Sequence, residues 1–85
     1  MSSISMFYGV IIYMCKDDYA SPHVRVKYQE YEACYDFDSN LIKGDLPIKQ
    51  KKLVEAWIAI HEDELKANWE LLQSGDEICR IDPLK

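Results

Sequence analysis

The fold of this chain is decided by two alternating runs, Pro22-His23-Val24-Arg25-Val26-Lys27-Tyr28 and Tyr31-Glu32-Ala33-Cys34-Tyr35-Asp36-Phe37. In each run apolar and polar residues alternate with period two, which is typical of a strand with one buried face and one solvated face. The dipeptide Gln29-Glu30 between the runs predicts the two-residue turn of a β-hairpin. In that hairpin Tyr28 faces Tyr31.

The polar face of the predicted hairpin carries a row of charged side chains. Counting outward from the turn gives three cross-strand pairs: Lys27 with Glu32, Arg25 with Cys34, and His23 with Asp36. The other face is apolar and is expected to be buried; it carries Val24, Val26, Tyr28, Tyr31, Ala33, Tyr35 and Phe37.

Further strands are expected on both sides of the hairpin. Phe7-Tyr8-Gly9-Val10-Ile11-Ile12-Tyr13-Met14 is apolar on both faces and predicts one central strand. Residues 16–22 are expected to form a loop that ends at Pro22. After the hairpin, Asp38-Ser39-Asn40 predicts a turn and Leu41-Ile42-Lys43-Gly44 a short final strand.

From Pro47 onward the apolar period changes to that of a helix. Apolar and aromatic residues, with one histidine, recur at spacings of three and four: Leu53, Val54, Trp57, Ile58, His61, Leu65, Trp69 and Leu72. Pro47 suits the first helical turn, with Asp45 or Leu46 as the cap, and Gly75 suits the end.

One helix over residues 47–74 would be about 40 Å long, whereas a domain of this size is only about 30 Å across. We therefore expect a bend or break near residues 60–63, with His61-Glu62-Asp63-Glu64 starting a second helix. Pro83 excludes further helix, so the tail should be extended.

These elements predict an α+β fold: an antiparallel β-meander of three to four strands, packed on one face by two C-terminal helices or by one bent helix. We expect a single domain over residues 1–85, β-rich over 4–44, helical over 47–74 and with a tail over 76–85. The sheet should bury its apolar face against Leu53, Trp57, Ile58 and Trp69. The row that begins at His23 would then face away from the helices, either solvated or in an interface.

Composition restricts the class of protein. The net charge of −5 over 85 residues argues against a general nucleic-acid binder, although a local basic patch remains compatible with it. The three cysteines include no Cys-x-x-Cys pair, so neither a disulfide framework nor a zinc site is indicated. The apolar run from Phe7 to Cys15 is too short to span a bilayer and has no basic start like that of a signal peptide. We expect a soluble cytoplasmic protein that needs no cofactor or metal.

The row His23, Arg25 and Lys27 is the strongest functional candidate. Alternate strand residues lie about 6.5–7 Å apart, which is close to the spacing of successive phosphates on a single nucleic-acid strand. In the catalytic interpretation His23 is the acid–base group, Asp36 or Glu32 orients it, and Arg25 and Lys27 bind phosphoryl oxygens. These groups would support at most a metal-independent ribonuclease-like activity. The structural alternative is a set of ordinary cross-strand ion pairs on a solvated face.

Three other motifs have structural interpretations. Asp36-Phe37-Asp38-Ser39-Asn40 begins like a calcium loop, but Leu41 and Pro47 stand where glycine and glutamate are needed, which predicts a hairpin turn instead. His61 lies one helical turn from Trp57 and from Leu65, which favours a partly buried structural histidine. Lys49, Lys51 and Lys52 oppose the dipole of the first helix; they indicate a solvated face or an acidic partner.

Several segments together resemble a bacterial family. They are Ile4 to Met14, Pro22-His23-Val24-Arg25-Val26, Tyr28-Gln29-Glu30-Tyr31-Glu32-Ala33, Gly44-Asp45-Leu46-Pro47, and the helix with Trp57, Glu64-Leu65 and Asn68-Trp69. In this order they resemble domain of unknown function 4160. The resemblance implies a small cytoplasmic protein, often encoded beside a member of domain of unknown function 2442. It also implies a toxin in a type II toxin–antitoxin pair, with an antitoxin partner and an RNA target.

The chain departs from the family's usual loop, Asp-His-x-Pro-Pro-His-Phe-His-Val. The matching segment here is Asp18-Tyr19-Ala20-Ser21-Pro22-His23-Val24-Arg25-Val26, so Tyr19 and Arg25 replace two of three histidines. Gln29 stands at the family's turn glycine. A ribonuclease with one histidine and Arg25 as phosphate clamp remains workable, and so does an inactive or purely binding member.

Two hypotheses of function follow. The first is a toxin-like component of a two-gene module that acts on RNA through the hairpin face. The second is a non-catalytic interaction module that binds a partner protein through its sheet face or edge strand. An open strand edge and Cys34 on the polar face also leave room for a homodimer.

Overall fold

The computed structural model describes residues 2–14 and 22–84. Five strands form one antiparallel sheet in sequence order: β1 (Ser2–Phe7), β2 (Val10–Met14), β3 (His23–Tyr28), β4 (Tyr31–Asp36) and β5 (Leu41–Gly44). Two helices follow, α1 (Ile48–Ile60) and α2 (Glu62–Gln73). The predicted α+β meander with two C-terminal helices is confirmed, with one strand more than expected. The predicted loop over residues 16–22 falls, except for Pro22, outside the described residues.

The β3–β4 hairpin has the predicted register at every pair. Tyr28 pairs with Tyr31 across the turn, Lys27 with Glu32, Arg25 with Cys34, and His23 with Asp36. The rings of Tyr28 and Tyr31 stack with centroids 6.5 Å apart. Tyr31 is 45% exposed, however, so its expected burial against the helices is wrong. Tyr31 directly follows the turn and is not among the residues packed against the core cluster, whereas Tyr28 is.

The additional strand comes from the apolar run that was expected to form one central strand. A turn at Tyr8 and Gly9 divides this run into β1 and β2, which pair from Phe7 and Val10 outward. Both turn residues have positive φ, 48° for Tyr8 and 79° for Gly9. Two consecutive residues with positive φ form a turn whose twist matches the twist of the two paired strands, as a two-residue hairpin loop requires.

The core lies between one face of the sheet and the two helices. Its largest fully buried side chains include Trp57 and Tyr35. The other buried apolar residues are Ile4, Phe7, Val10, Ile12, Met14, Val24, Val26, Ala33, Phe37, Leu46, Val54, Ile58, Leu65 and Ile81. Leu53 and Trp69 are partly buried against this cluster, as expected for residues of the helix layer.

Helix α1 is linked to the sheet through Glu55. The Tyr35 hydroxyl donates to Glu55 Oε2 at 3.2 Å, and the Ser39 hydroxyl donates to the Glu55 carbonyl at 3.0 Å. Burial, reinforced by the Glu55 carboxylate, raises the pKa of Tyr35 well above its ordinary value.

The expected break between the helices is confirmed at a single residue, His61. Its backbone leaves the helical region, with φ −108° and ψ 23°, and α2 begins at Glu62. Glu62, Asp63 and Glu64 occupy the first turn of α2, where the dipole favours negative charge. The predicted start of α1 is wrong by one to two residues: Pro47 is the cap rather than part of the first turn, and neither Asp45 nor Leu46 is the cap. The ψ of 149° at Pro47 is extended, so the helix begins only at Ile48.

The residues after α2 form a strap over the edge of the sheet. Asn68 bonds to the backbone of Cys79, the Trp57 indole donates to the Asp82 carbonyl at 2.8 Å, and the Ile81 amide donates to the Ile4 carbonyl at 2.8 Å. Residues 76–84 contain neither helix nor strand. The strap thus covers part of the free edge of β1, whereas β5 is paired only with β4 within the described chain.

Candidate functional site

The sheet face turned away from the helices, which we call the far face, carries a groove of about 490 Å³. Volumes of this size are common for ligand sites. The groove is lined by Tyr13, Arg25, Val26, Lys27, Glu32, Ala33, Cys34, Lys43 and Gly44. The side chains of Val26 and Ala33 are buried in the core, so these two residues contribute their backbone to the floor.

The strand register places four of the lining side chains in one row across the sheet. Tyr13 on β2 is in register with Arg25 on β3, Arg25 with Cys34 on β4, and Cys34 with Lys43 on β5. Because residues in register across a sheet point to the same face, these four side chains form one row perpendicular to the strands. We call it the cross-sheet row. A second row lies beside it, in which Ile11, Lys27 and Glu32 are in register.

Positive charge predominates in the groove. Its lining contains three cationic side chains, Arg25, Lys27 and Lys43, and one carboxylate, Glu32. Lys27, Glu32 and Lys43 are exposed, and Arg25 is half-buried. The chain as a whole carries a net charge of −5, so this surface departs from the protein's average in sign.

The two lysines of the groove form no cross-strand ion pair among the described residues. Described ion pairs join Lys51 to Asp45, His61 to Glu64 and Lys66 to Glu62. Within the described residues neither Lys27 nor Lys43 comes within ion-pair distance of a carboxylate, even though Lys27 is in register with Glu32. The interpretation of the β3 row His23, Arg25 and Lys27 as ordinary ion pairs therefore does not account for Lys27.

His23 lies outside the groove. Its side chain is 2% exposed, and its ring lies 5.5 Å from the ring of Trp69 on α2, centroid to centroid. The expectation that His23 faces away from the helices is thus wrong, because at this end of β3 the aromatic side chain of α2 lies against it. Its assignment as the acid–base group stays a prediction.

Asp36 is engaged in the turn that follows β4. Its Oδ1 accepts hydrogen bonds from the Asp38 and Asn40 amides, both at 2.9 Å, and its Oδ2 accepts from the Asn40 side-chain amide at 3.2 Å. This confirms that the segment from Asp36 to Asn40 forms a turn. It also gives Asp36 a structural role beside the predicted one of orienting His23.

His61 has the partly buried position that its spacing predicts. Its ring lies 5.3 Å from that of Trp57, and its Nδ1 lies 2.6 Å from Glu64 Oε1. Among the described residues no group of three or more His, Cys, Asp or Glu side chains could hold a metal ion. Neither described helix is long and apolar enough to cross a membrane.

Three of the predicted site residues come together in the groove: Arg25, Lys27 and Glu32. Sequence reasoning missed Tyr13 and Lys43, which complete the cross-sheet row. Tyr13 lies in an apolar strand whose faces the sequence does not distinguish. Lys43 reaches its position through an irregularity in the β4–β5 pairing between Cys34 and Tyr35.

The comparisons with known proteins bear on most of the chain. Searches of curated proteins and of solved structures each found no match. The family model described as Domain of unknown function (DUF4160) matches residues 9–70, from the turn before β2 into the last third of α2. This chain belongs to the DUF4160 family.

Proposed function

We propose that this protein is the toxin-like component of a two-gene bacterial module and that it acts in the cytoplasm by binding RNA in the groove of the far face. The observation that carries the proposal is that Arg25, Lys27 and Lys43 line one groove of an otherwise acidic protein. Phosphate groups supply most of the attraction between RNA and protein, and lysine and arginine are the side chains that bind them.

The geometry supports binding more directly than cleavage. The groove brings together cations, an aromatic ring and a carboxylate, whereas His23 is buried against Trp69. A phosphate held by Arg25 and Lys43 would have no histidine beside it, since the groove lining contains none. The proposed action therefore needs RNA capture alone, and a metal-independent ribonuclease activity would be additional.

Expression in a bacterial host tests this function. We expect the wild type to arrest growth, and the double variant Arg25→Glu/Lys43→Glu to relieve the arrest because it reverses two charges in the groove. Lys49→Glu/Lys52→Glu is the matched control, since both lysines are exposed on α1 in the helix layer. Equal arrest by all three proteins, or no arrest by the wild type, would contradict the proposal.

A second function is favoured by the open edge of β5. All four residues of β5 are exposed, including Leu41 and Ile42, and within the described chain β5 pairs only with β4. An exposed apolar edge strand is a template for an added strand from another protein. The partner would be the antitoxin-like product of the neighbouring gene.

Co-purification with that product tests the second function. If the partner adds a strand to β5, Ile42→Pro should abolish co-purification because proline removes a backbone donor from the edge. If it binds the far face instead, Arg25→Glu should abolish it. Retention of the partner by both variants, with RNA bound by neither, would leave no support for this function.

A further inference from the structure

The side chains of the cross-sheet row follow one another in an order that suits one form of RNA. Going from β2 to β5 it presents an aromatic ring (Tyr13), a guanidinium (Arg25), a thiol (Cys34) and an ammonium (Lys43). Neighbouring strands lie about 4.8 Å apart, so the row spans about 14 Å from Tyr13 to Lys43. Stacking and phosphate binding are thereby available within a few nucleotides of each other.

We propose that the groove binds single-stranded RNA that runs across the strands, with a base stacked on Tyr13 and phosphates at Arg25 and Lys43. This inference rests on the proposed function and specifies its substrate. A single strand exposes the flat faces of its bases, which aromatic side chains on a sheet can stack against. In an A-form duplex these faces are covered by neighbouring base pairs, so Tyr13 would have no stacking partner.

The second row supports the same path for the chain of phosphates. Glu32 is the carboxylate of the groove lining and is in register with Lys27. A carboxylate repels phosphate, whereas it accepts hydrogen bonds from the amino groups of bases. The backbone of the RNA therefore follows the cross-sheet row, which contains no carboxylate. The base edges of the RNA lie toward Glu32.

Fluorescence anisotropy with the purified protein tests this inference. The probes are a labelled ten-nucleotide RNA of mixed sequence and the blunt duplex formed with its complement. We expect the single strand to bind at least tenfold more tightly than the duplex. Tyr13→Ala should weaken binding of the single strand about tenfold, since one stacked base contributes about that much. Tyr13→Phe retains the ring and should bind like the wild type.

Salt dependence gives a readout that does not depend on Tyr13. The affinity for a single strand falls with log salt by about 0.7 per phosphate contact. Lys43→Ala should therefore lower that slope by about 0.7, and Lys52→Ala on α1 should leave it unchanged. Should Tyr13→Ala fail to fold, as judged by circular dichroism, Lys43→Ala and the preference for single strands decide the matter.

The outcomes separate this inference from the proposed function. Equal affinity for duplex and single strand would overturn the single-strand inference while RNA binding in the groove stands. An unchanged slope in Lys43→Ala would overturn the phosphate contact at Lys43, on which both the inference and the proposed function rest. Absence of binding to either RNA would overturn both. Preference for the single strand together with loss in Tyr13→Ala and retention in Tyr13→Phe supports the inference.

Discussion

The side-chain amide of Asn68 forms two hydrogen bonds with the backbone of Cys79. Its Nδ2 donates to the Cys79 carbonyl at 2.7 Å, and its Oδ1 accepts from the Cys79 amide at 3.0 Å. Asn68 is 3% exposed. The amide thus pairs with the backbone of Cys79 as a neighbouring strand would, and it attaches the strap to α2.

Replacement of Asn68 by alanine should destabilise the fold. The change removes both hydrogen bonds, and the loss should be about 2–4 kcal/mol because each stranded polar group costs about 1–3 kcal/mol. Urea unfolding measures it. Gln73→Ala, at an exposed position of the same helix, should change the free energy of unfolding by less than about 0.5 kcal/mol. Equal losses for the two variants would contradict this role of Asn68.

Two glycines with the same backbone conformation should respond differently to alanine. Gly44 and Gly75 have φ of 82° and 81°, but a Cβ on Gly44 would lie 2.1 Å from the Glu32 carbonyl oxygen, whereas one on Gly75 would meet nothing within 4 Å. Gly75→Ala should cost about 1–2 kcal/mol from the positive φ alone. Gly44→Ala adds a clash with the backbone of β4 and should cost about 1–3 kcal/mol more, the usual cost of overpacking. Urea unfolding of both variants checks the difference; similar losses would exclude the close approach of β5 to β4.

The extent to which the sequence predicts this fold depends on whether local signals agree. In the β3–β4 hairpin, period-two alternation and a two-residue turn specify the same register, since a shift by one residue would expose the whole apolar face. The β1–β2 hairpin lacks this agreement. Its turn begins with Tyr8, a residue not typical of positive φ, within a run that is apolar on both faces, so no local signal separates two strands from one.

The candidate site was predictable on β3 and β4 and not beyond them. Arg25, Lys27 and Glu32 follow from alternation alone. Tyr13 and Lys43 join them through pairing between strands that are distant in sequence and, for Lys43, through a local irregularity. The burial of His23 depends on Trp69 of α2, a tertiary contact that a strand pattern does not contain.

The raised pKa of Tyr35 predicts a loss of stability at alkaline pH. Tyr35 ionises near pH 10 in the unfolded chain, whereas burial and the Glu55 carboxylate keep it protonated in the fold above that pH. The unfolded state therefore binds fewer protons above pH 10, and the free energy of unfolding falls by about 1.4 kcal/mol per pH unit from this group. Tyr35→Phe cannot ionise and should lack this part of the slope. Guanidinium unfolding from pH 9 to 11.5 compares the two proteins, and parallel curves would contradict the assignment.

A comparison of His23→Ala with Lys27→Ala separates packing from catalysis on β3. Because the His23 ring is buried against Trp69, its removal should leave a cavity and lower the free energy of unfolding by about 2 kcal/mol. Lys27 is exposed, so its alanine variant should stay within about 0.5 kcal/mol of the wild type while it weakens RNA binding. Urea unfolding and growth arrest are measured for both variants at a temperature where both remain folded. A folded His23→Ala protein that still arrests growth would exclude His23 as an acid–base catalyst, whereas loss of arrest with unchanged stability would contradict its packing role.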